Sequence, residues 1–215
     1  MKVDMHIHTV YSGDSTCKPS EVIEAAKRRG LDGIAVTDHS TTKGWKETLA
    51  EGKKKGIAVI LGEEIEVEYG GRIVGEVLGY FLNEEVEKGE VYCVLDEIKR
   101  QEGLAALPHP FCFYRGMRMD FEELAGRIQA VEVFNAGMYF NYHNNKALNF
   151  ARKHSIAEIG GSDAHSEEEV GNAYTYADAA DMKEFRRAIE KGKTKAEGRL
   201  SSHVRRFLSK HFNFG

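Results

Sequence analysis

The sequence predicts an α/β chain whose mainly parallel sheet closes into a TIM-type barrel or a distorted TIM-like (β/α)7 relative of it. Three observations carry this reading. Short apolar runs alternate with helical stretches from end to end, the mark of strand–helix–strand units. About seven such units fit within 215 residues, which favours a compact barrel over an open sheet. The first strand leads into a histidine pair and not into the Gly-X-Gly-X-X-Gly of a dinucleotide fold.

The first strand is Lys2–His8, and a polar loop, Tyr11–Thr16, follows it. Side chains on a strand alternate, so Asp4, His6 and His8 are expected on one face, with Met1, Val3, Met5 and Ile7 on the other. Pro19 opens a helix with the apolar stripe Val22, Ile23, Ala25 and Ala26, and Gly30 ends it. Ile34–Val36 is a short buried strand ending in Thr37-Asp38-His39. A helix over roughly Gly44–Lys55 stops at Gly56. Ile57–Leu61 runs into Gly62-Glu63-Glu64-Ile65, and Gly70-Gly71 turns a hairpin that returns through Arg72–Tyr80. A helix over Glu90–Glu102 precedes strand Leu104–Leu107, which stops at Pro108-His109-Pro110. A short helix, Phe121–Arg127, leads to strand Ala130–Phe134, ending at Asn135. Helix Tyr142–His154 and strand Ile156–Ile159 follow, the strand running into Gly160-Gly161-Ser162-Asp163-Ala164-His165. Tyr174–Tyr176 is a last strand and Asp181–Lys191 a last long helix. No linker rich in Gly, Ser or Pro divides the chain, so one domain is expected over 1–215.

Composition narrows the function. Lys and Arg total 30 against 34 acids, so a generally basic nucleic-acid scaffold is not indicated. No apolar run approaches the roughly 20 residues that cross a bilayer, and no signal-peptide pattern opens the chain. Three scattered cysteines, Cys17, Cys93 and Cys112, form neither a disulfide framework nor a thiolate zinc motif. A cytoplasmic protein is the expectation.

Parallel barrels build their sites at the C-terminal ends of the strands. His6, His8, Asp38, His39, Glu64, His109, Asn135, Asp163 and His165 all stand at such ends. His143, His154, His203 and His211 fall on helices or the tail. Imidazoles and carboxylates together suit zinc, manganese or iron, and the donors outnumber the four that one tetrahedral ion needs. Two or three divalent ions are therefore expected, with Glu64 able to bridge two of them. Such clusters generate a hydroxide near neutral pH and neutralise phosphoester oxygens. Arg115, in the loop beyond His109, could grip a phosphate bidentately. Asp14 reads equally as a ligand or as a loop-capping residue. Ser12, Ser15 and Ser162 lack the Gly-X-Ser-X-Gly elbow and read as loop serines. Trp45, Phe111, Phe113, Tyr114, Tyr139 and Phe140 could stack on a base, though each alone is compatible with packing.

In order along the chain, His6-Ile7-His8-Thr9, Thr37-Asp38-His39, Gly62-Glu63-Glu64-Ile65, Pro108-His109-Pro110 and Gly161-Ser162-Asp163-Ala164-His165 resemble the motifs of the PHP (polymerase and histidinol phosphatase) family. The resemblance covers nearly the whole chain and looks closest to the small stand-alone members. It implies a distorted seven-stranded barrel with two or three metals, and phosphoesterase activity. Carried over by motif, His6, His8, Glu64 and Asp163 would hold one ion. Glu64 would bridge to a second ion on His109, and His39 and His165, with Asp14, would complete a third. Asp38 would orient a ligand. Many relatives carry a metal-binding histidine where this chain has Glu76, just before Leu78-Gly79-Tyr80. Glu76 either ligates in its place or leaves the second ion weak or absent.

The resulting expectation is a metal-dependent phosphoesterase acting on a small phosphorylated substrate: a nucleotide, sugar or amino-alcohol phosphate. Asp163, His165 and Arg115 are its expected catalytic residues. Two alternatives stand beside it: an exonuclease or oligonucleotide phosphodiesterase, and a non-catalytic RNA-binding or assembly barrel. From Lys183 onward bases outnumber acids, so a basic C-terminal tail could attract nucleic acid. Over about 200–215 the tail also reads as an amphipathic helix, with Val204, Phe207, Leu208 and Phe212 at helical spacing.

Overall fold

The computed structural model describes residues 1–201. Strand β1 (Lys2–Ile7) is followed by helix α1 (Pro19–Arg28), in which Pro19 presets the first turn. The Glu21 carboxylate accepts the Lys18 N–H at 2.8 Å, and Val22, Ile23, Ala25 and Ala26 form the buried face. Strand β2 (Gly33–Val36) is buried throughout. Helix α2 (Trp45–Lys55) ends at Gly56, whose φ of 73° needs a residue without Cβ. Strands β3 (Ala58–Tyr69) and β4 (Arg72–Tyr80) are joined by the expected two-glycine turn, Gly70-Gly71, both at positive φ. The two-residue strand β5 (Gly89–Glu90) opens helix α3 (Val91–Arg100), and strand β6 (Leu104–Leu107) follows. The helix expected over Phe121–Arg127 is only a 3-10 turn, Phe121–Leu124. Strand β7 (Ala130–Asn135), helix α4 (Asn141–Lys153), strand β8 (Ala157–Gly161), strand β9 (Ala173–Tyr176), helix α5 (Met182–Glu190) and strand β10 (Lys195–Gly198) complete the described chain.

The sheet order is β10-β9-β1-β2-β3-β4-β6-β7-β8, with β5 on the side of β3. The pairs β1–β2, β2–β3, β6–β7 and β7–β8 are parallel. Strand β4 is antiparallel to both its neighbours, because a tight turn and not a helical crossover delivers it. This is where the barrel departs from a regular (β/α) repeat. The segment after β8 nearly closes the sheet against β1: Asp163 N–H donates to the His6 carbonyl at 2.8 Å, and His8 N–H to the Ala164 carbonyl at 3.0 Å. Lower down, β9 pairs antiparallel with β1, and Thr175 Oγ1 bridges to the backbone of Gly160 on β8.

One apolar cluster draws on every strand from β1 to β4 and from β6 to β8: Val3 and Met5, Ala35, Ile60, Leu78, Ala106, Ala130 and Ile159. This is the barrel interior, and Phe185 and Ile189 of α5 pack into it. A second cluster packs α1 against β1 and β2, and a third lies under α3 and α4. Their burial supplies the main driving force for closing the barrel.

Two expectations change. The phase of β1 is not uniform, because its pairing with β2 slips between Asp4 and Ile7. Val3 and Met5 join the interior cluster while Ile7 joins the layer under α1, so the expected single apolar face does not exist. Asp4 is engaged elsewhere than the histidines' ring nitrogens: its carboxylate accepts the N–H groups of Ser162 and Gly171, both at 2.8 Å, and of His6. The basic stretch from Lys183 is also partly folded, into α5 and into β10, which pairs antiparallel with β9. Of the tail expected over 200–215, all beyond Ser201 lies outside the described residues.

Candidate metal centre

His6 and His8 at the end of β1, His39 after β2, His109 after β6, and Asp163 and His165 after β8 meet at one rim of the barrel with Glu64 and Glu76. Glu64 stands not at the expected strand end but inside β3, and Glu76 inside β4, because the hairpin strands run on past the rim. Glu64 is the hub. Its Oε2 atom lies 3.2 Å from His6 Nε2, 3.3 Å from His8 Nε2 and 3.2 Å from His39 Nδ1, while Oε1 lies 3.1 Å from His109 Nε2. Asp163 Oδ1 lies 3.6 Å from His8 Nε2 and 3.9 Å from His6 Nε2. On the outer side, Asp14 Oδ2 meets His165 Nε2 at 3.0 Å and His39 Nε2 at 3.7 Å. Glu76 approaches His39 Nδ1 at 3.7 Å and His109 Nε2 at 3.8 Å.

Hydrogen bonds behind the rings decide which nitrogen faces the centre. His6 Nδ1 stands 3.0 Å from Glu132 Oε1, a carboxylate that can only accept, so Nδ1 carries the proton. Ser12 Oγ donates to Asp38 and accepts from His39 N–H, so His8 Nδ1, 3.0 Å away, is a donor as well. His165 Nδ1 donates to the Asp163 carbonyl at 3.0 Å. All three rings therefore turn Nε2 inward, and the Nε2 atoms of His6 and His8 are only 3.0 Å apart. Two inward lone pairs at that distance repel unless a proton or a cation sits between them.

The electrostatics follow from the same crowding. Burial works against a charge on His6, but Glu64, Glu132 and Asp163 outweigh it and hold its pKa well above the ordinary value. Burial lowers that of His8, and His165 and His39 push the same way. Burial opposes charge on His39 too, yet Asp14, Glu64 and Glu76 raise its pKa to about 9. Burial opposes ionisation of Glu64, but His6 and His109 keep it well below the carboxylate range. Glu76 is pushed up to about 7 by burial and by the charge of Glu64. Glu64 Oε2 is fully buried and has no hydrogen-bond partner, although a buried polar atom normally finds one. A cation among these donors satisfies that oxygen and the facing nitrogens together, so the donor set fits divalent metal. Four overlapping groups could hold an ion: His8, His39 and His165; His6, Glu64 and His109; His6, His8 and Asp163; His39, Glu64 and Glu76. His109 and Asp163 stand at φ 29° and 53°, left-handed conformations that cost about 1–3 kcal/mol each and cluster at functional sites.

Arg115 reaches the centre from the loop after β6 and pairs with Asp163 Oδ2 at 2.5 Å. Beside it lies a cleft of about 160 Å³, lined by Glu66, Ile73, Glu76, Tyr114, Arg115 and Arg118.

The PHP domain model matches residues 4–210. The chain belongs to the PHP family. Among curated relatives, an uncharacterized protein of Methanocaldococcus jannaschii is 39% identical over 163 residues, covering 69% of this chain and 90% of that one. A 3',5'-nucleoside bisphosphate phosphatase of Chromobacterium violaceum is 36% identical over 72 residues, which are 34% of this chain and 25% of that one. Among solved structures, a two-domain protein of Bacteroides vulgatus containing a predicted PHP-like metal-dependent phosphoesterase superposes with a TM-score of 0.78 at 21% identity. That match covers 93% of this chain and 65% of the other, and shows the PHP fold.

Within this PHP barrel, sequence reading passed over two residues. Glu132 accepts from His6 Nδ1, from His109 N–H at 2.9 Å and from Asn135 Nδ2 at 2.9 Å, tying β1, β6 and β7 together. Its signal was one carboxylate inside the apolar run Ala130-Val131-Glu132-Val133-Phe134. Ser12, read as a loop serine, joins His8 to Asp38. Of the aromatics, Trp45 and Phe111 are structural: the Trp45 indole donates to the Gly62 carbonyl, and Phe111 packs edge-on against Phe121 and Phe150.

Proposed function

We propose that this PHP protein is a metal-dependent phosphoesterase acting on a small phosphorylated substrate. The observation that carries this reading is Glu64 Oε2, buried without a hydrogen-bond partner and faced by three imidazole nitrogens within 3.3 Å. His6, His8, Glu64 and Asp163 would hold one ion. Glu64, His109 and Glu76 would hold a second, and His39, His165 and Asp14 a third. Divalent zinc, manganese or iron would supply a water acidic enough to attack near neutral pH and positive charge against the phosphoryl oxygens. The protein's own part is positional. Glu132, Ser12 and the Asp163 carbonyl fix the imidazoles of His6, His8 and His165 with Nε2 inward. Arg115 pairs with Asp163 and would place a guanidinium beside the phosphate. The Asp163 carboxylate, or His165 Nε2 where no ion occupies it, would be the group that receives a proton.

Elemental analysis of the purified protein, followed by a phosphomonoester and phosphodiester panel on the same sample, tests this. Bound divalent metal and hydrolysis are expected, with His39→Ala and Asp163→Ala reducing turnover at least 100-fold, a magnitude typical of losing a positioned catalytic group. Undiminished turnover in metal-replete Asp163→Ala protein would refute the assignment.

A further inference from the structure

The loops that follow β6 and β7 at the rim carry an unusual surface. Among the described residues, eleven large hydrophobic side chains are exposed; four of them fall in these two loops and a fifth, Tyr142, in the first turn of α4. Phe113 is 91% exposed and Phe140 68%, with Tyr142, Tyr139 and Tyr114 between 46% and 61%. Such rings contribute little to a core, and a clustered exposed apolar surface marks an interaction site. The two loops meet through Tyr114 and Tyr139, whose ring centroids are 6.1 Å apart.

The surface is continuous with the metal centre. Arg115 pairs with Asp163, and its guanidinium lies over the Tyr114 ring at 5.5 Å. Cations are interleaved with the rings: Lys146 Nζ lies 4.8 Å from the Tyr142 ring, and Arg118 is anchored to the Tyr114 carbonyl. The positive end of α4 starts in the same loop, with no acidic residue in its first turn and no side-chain cap on its free N–H groups. Rings and positive charge alternate here in a chain whose net charge is −4.

We infer that this surface is a stacking platform for the bases of a single-stranded oligonucleotide whose phosphate enters the metal centre. Bases stack on exposed aromatic faces in any sequence, while interleaved cations follow the phosphates. A duplex keeps its base faces stacked internally and cannot use exposed rings in this way. One base covers one or two rings, and rings spread over two loops match a run of bases better than a mononucleotide. The inference rests on the phosphoesterase reading and narrows its substrate class.

The test uses fluorescence anisotropy with the full-length, metal-loaded protein and a labelled, phosphorothioate-linked hexathymidylate. An abasic strand of the same length carries the charge without the bases. Wild-type protein is expected to bind the base-bearing strand roughly tenfold more tightly than the abasic one. Phe113→Ala/Phe140→Ala protein should lose most of that preference while keeping its metal content and circular dichroism spectrum, since both side chains are exposed. Equal binding of the two strands by wild type, or an unchanged preference in the variant, overturns the platform. Concentration-dependent self-association that the double variant abolishes also overturns it, and assigns the rings to a second copy of the chain. Turnover of p-nitrophenyl phosphate in the same preparations separates the two readings. Turnover without base-dependent binding ends the platform and leaves the phosphoesterase standing. Base-dependent binding without bound metal or turnover ends the phosphoesterase and, with it, the delivery of a phosphate to a metal centre.

Discussion

Protonation of His39 competes directly with an ion at the outer side of the centre. The pKa of this ring moves from 6.5 to about 9 on folding, because three carboxylates outweigh partial burial. The raised value means the protonated ring stabilises the metal-free fold fully below about 6.5, and that contribution is lost as pH rises through about 9. An ion at His39 must displace the same proton. Metal affinity at that position should therefore rise about tenfold per pH unit up to about pH 9, then level. Metal titrations between pH 6 and 9 in wild type and His39→Ala check this, and a flat profile in wild type would exclude it. The residues in this balance were legible because histidines and acids at strand ends are conspicuous. Glu132 was less so, since two of its partners, His6 and His109, lie far from it in sequence.

Single elements position the centre through close backbone approach. Gly161 ends β8 against β1, and a Cβ there would fall on His6 Cβ and within 2.9 Å of Glu132 Oε1. Gly161→Ala should destabilise the fold by about 1–3 kcal/mol and displace His6 and Glu132 together, so bound metal should fall as well. Gly126, which has open space around it, is the control: Gly126→Ala should leave both unchanged. Chemical denaturation with metal analysis reads out both variants. The helices were readable from their stripes and end signals, as α1 shows with Pro19, its apolar face and Gly30. Strand β10 was not. Lys195-Ala196-Glu197-Gly198 has no apolar alternation, and only its pairing to β9 makes it a strand. The slip in β1 was equally hidden, because strict alternation presumes a regular ladder.

At the scale of the whole molecule, the centre concentrates opposing charge and facing lone pairs at the closure of the sheet. Metal that binds only the folded state should stabilise it by about 2.7 kcal/mol for each site held at 100-fold excess over Kd. For a chain of this size that is about 5–10 °C in Tm per site. Melting scans with and without a chelator measure it, and identical midpoints would show that metal contributes nothing to closing the barrel. No helix among the described residues is long and apolar enough to cross a membrane. By itself the sequence determined the alternation of strands and helices, the hairpin at Gly70-Gly71 and the identity of the donors, because local periodicity and turn chemistry act over a few residues. Only the tertiary structure decided the antiparallel pairing of β4 with β6, the phase of β1, the inward Nε2 atoms and the split between Trp45 and Phe111, packed with the core, and Phe113, Tyr114, Tyr139 and Phe140 at the rim. Those features depend on which distant segments meet, and chain closure sets that, not local preference.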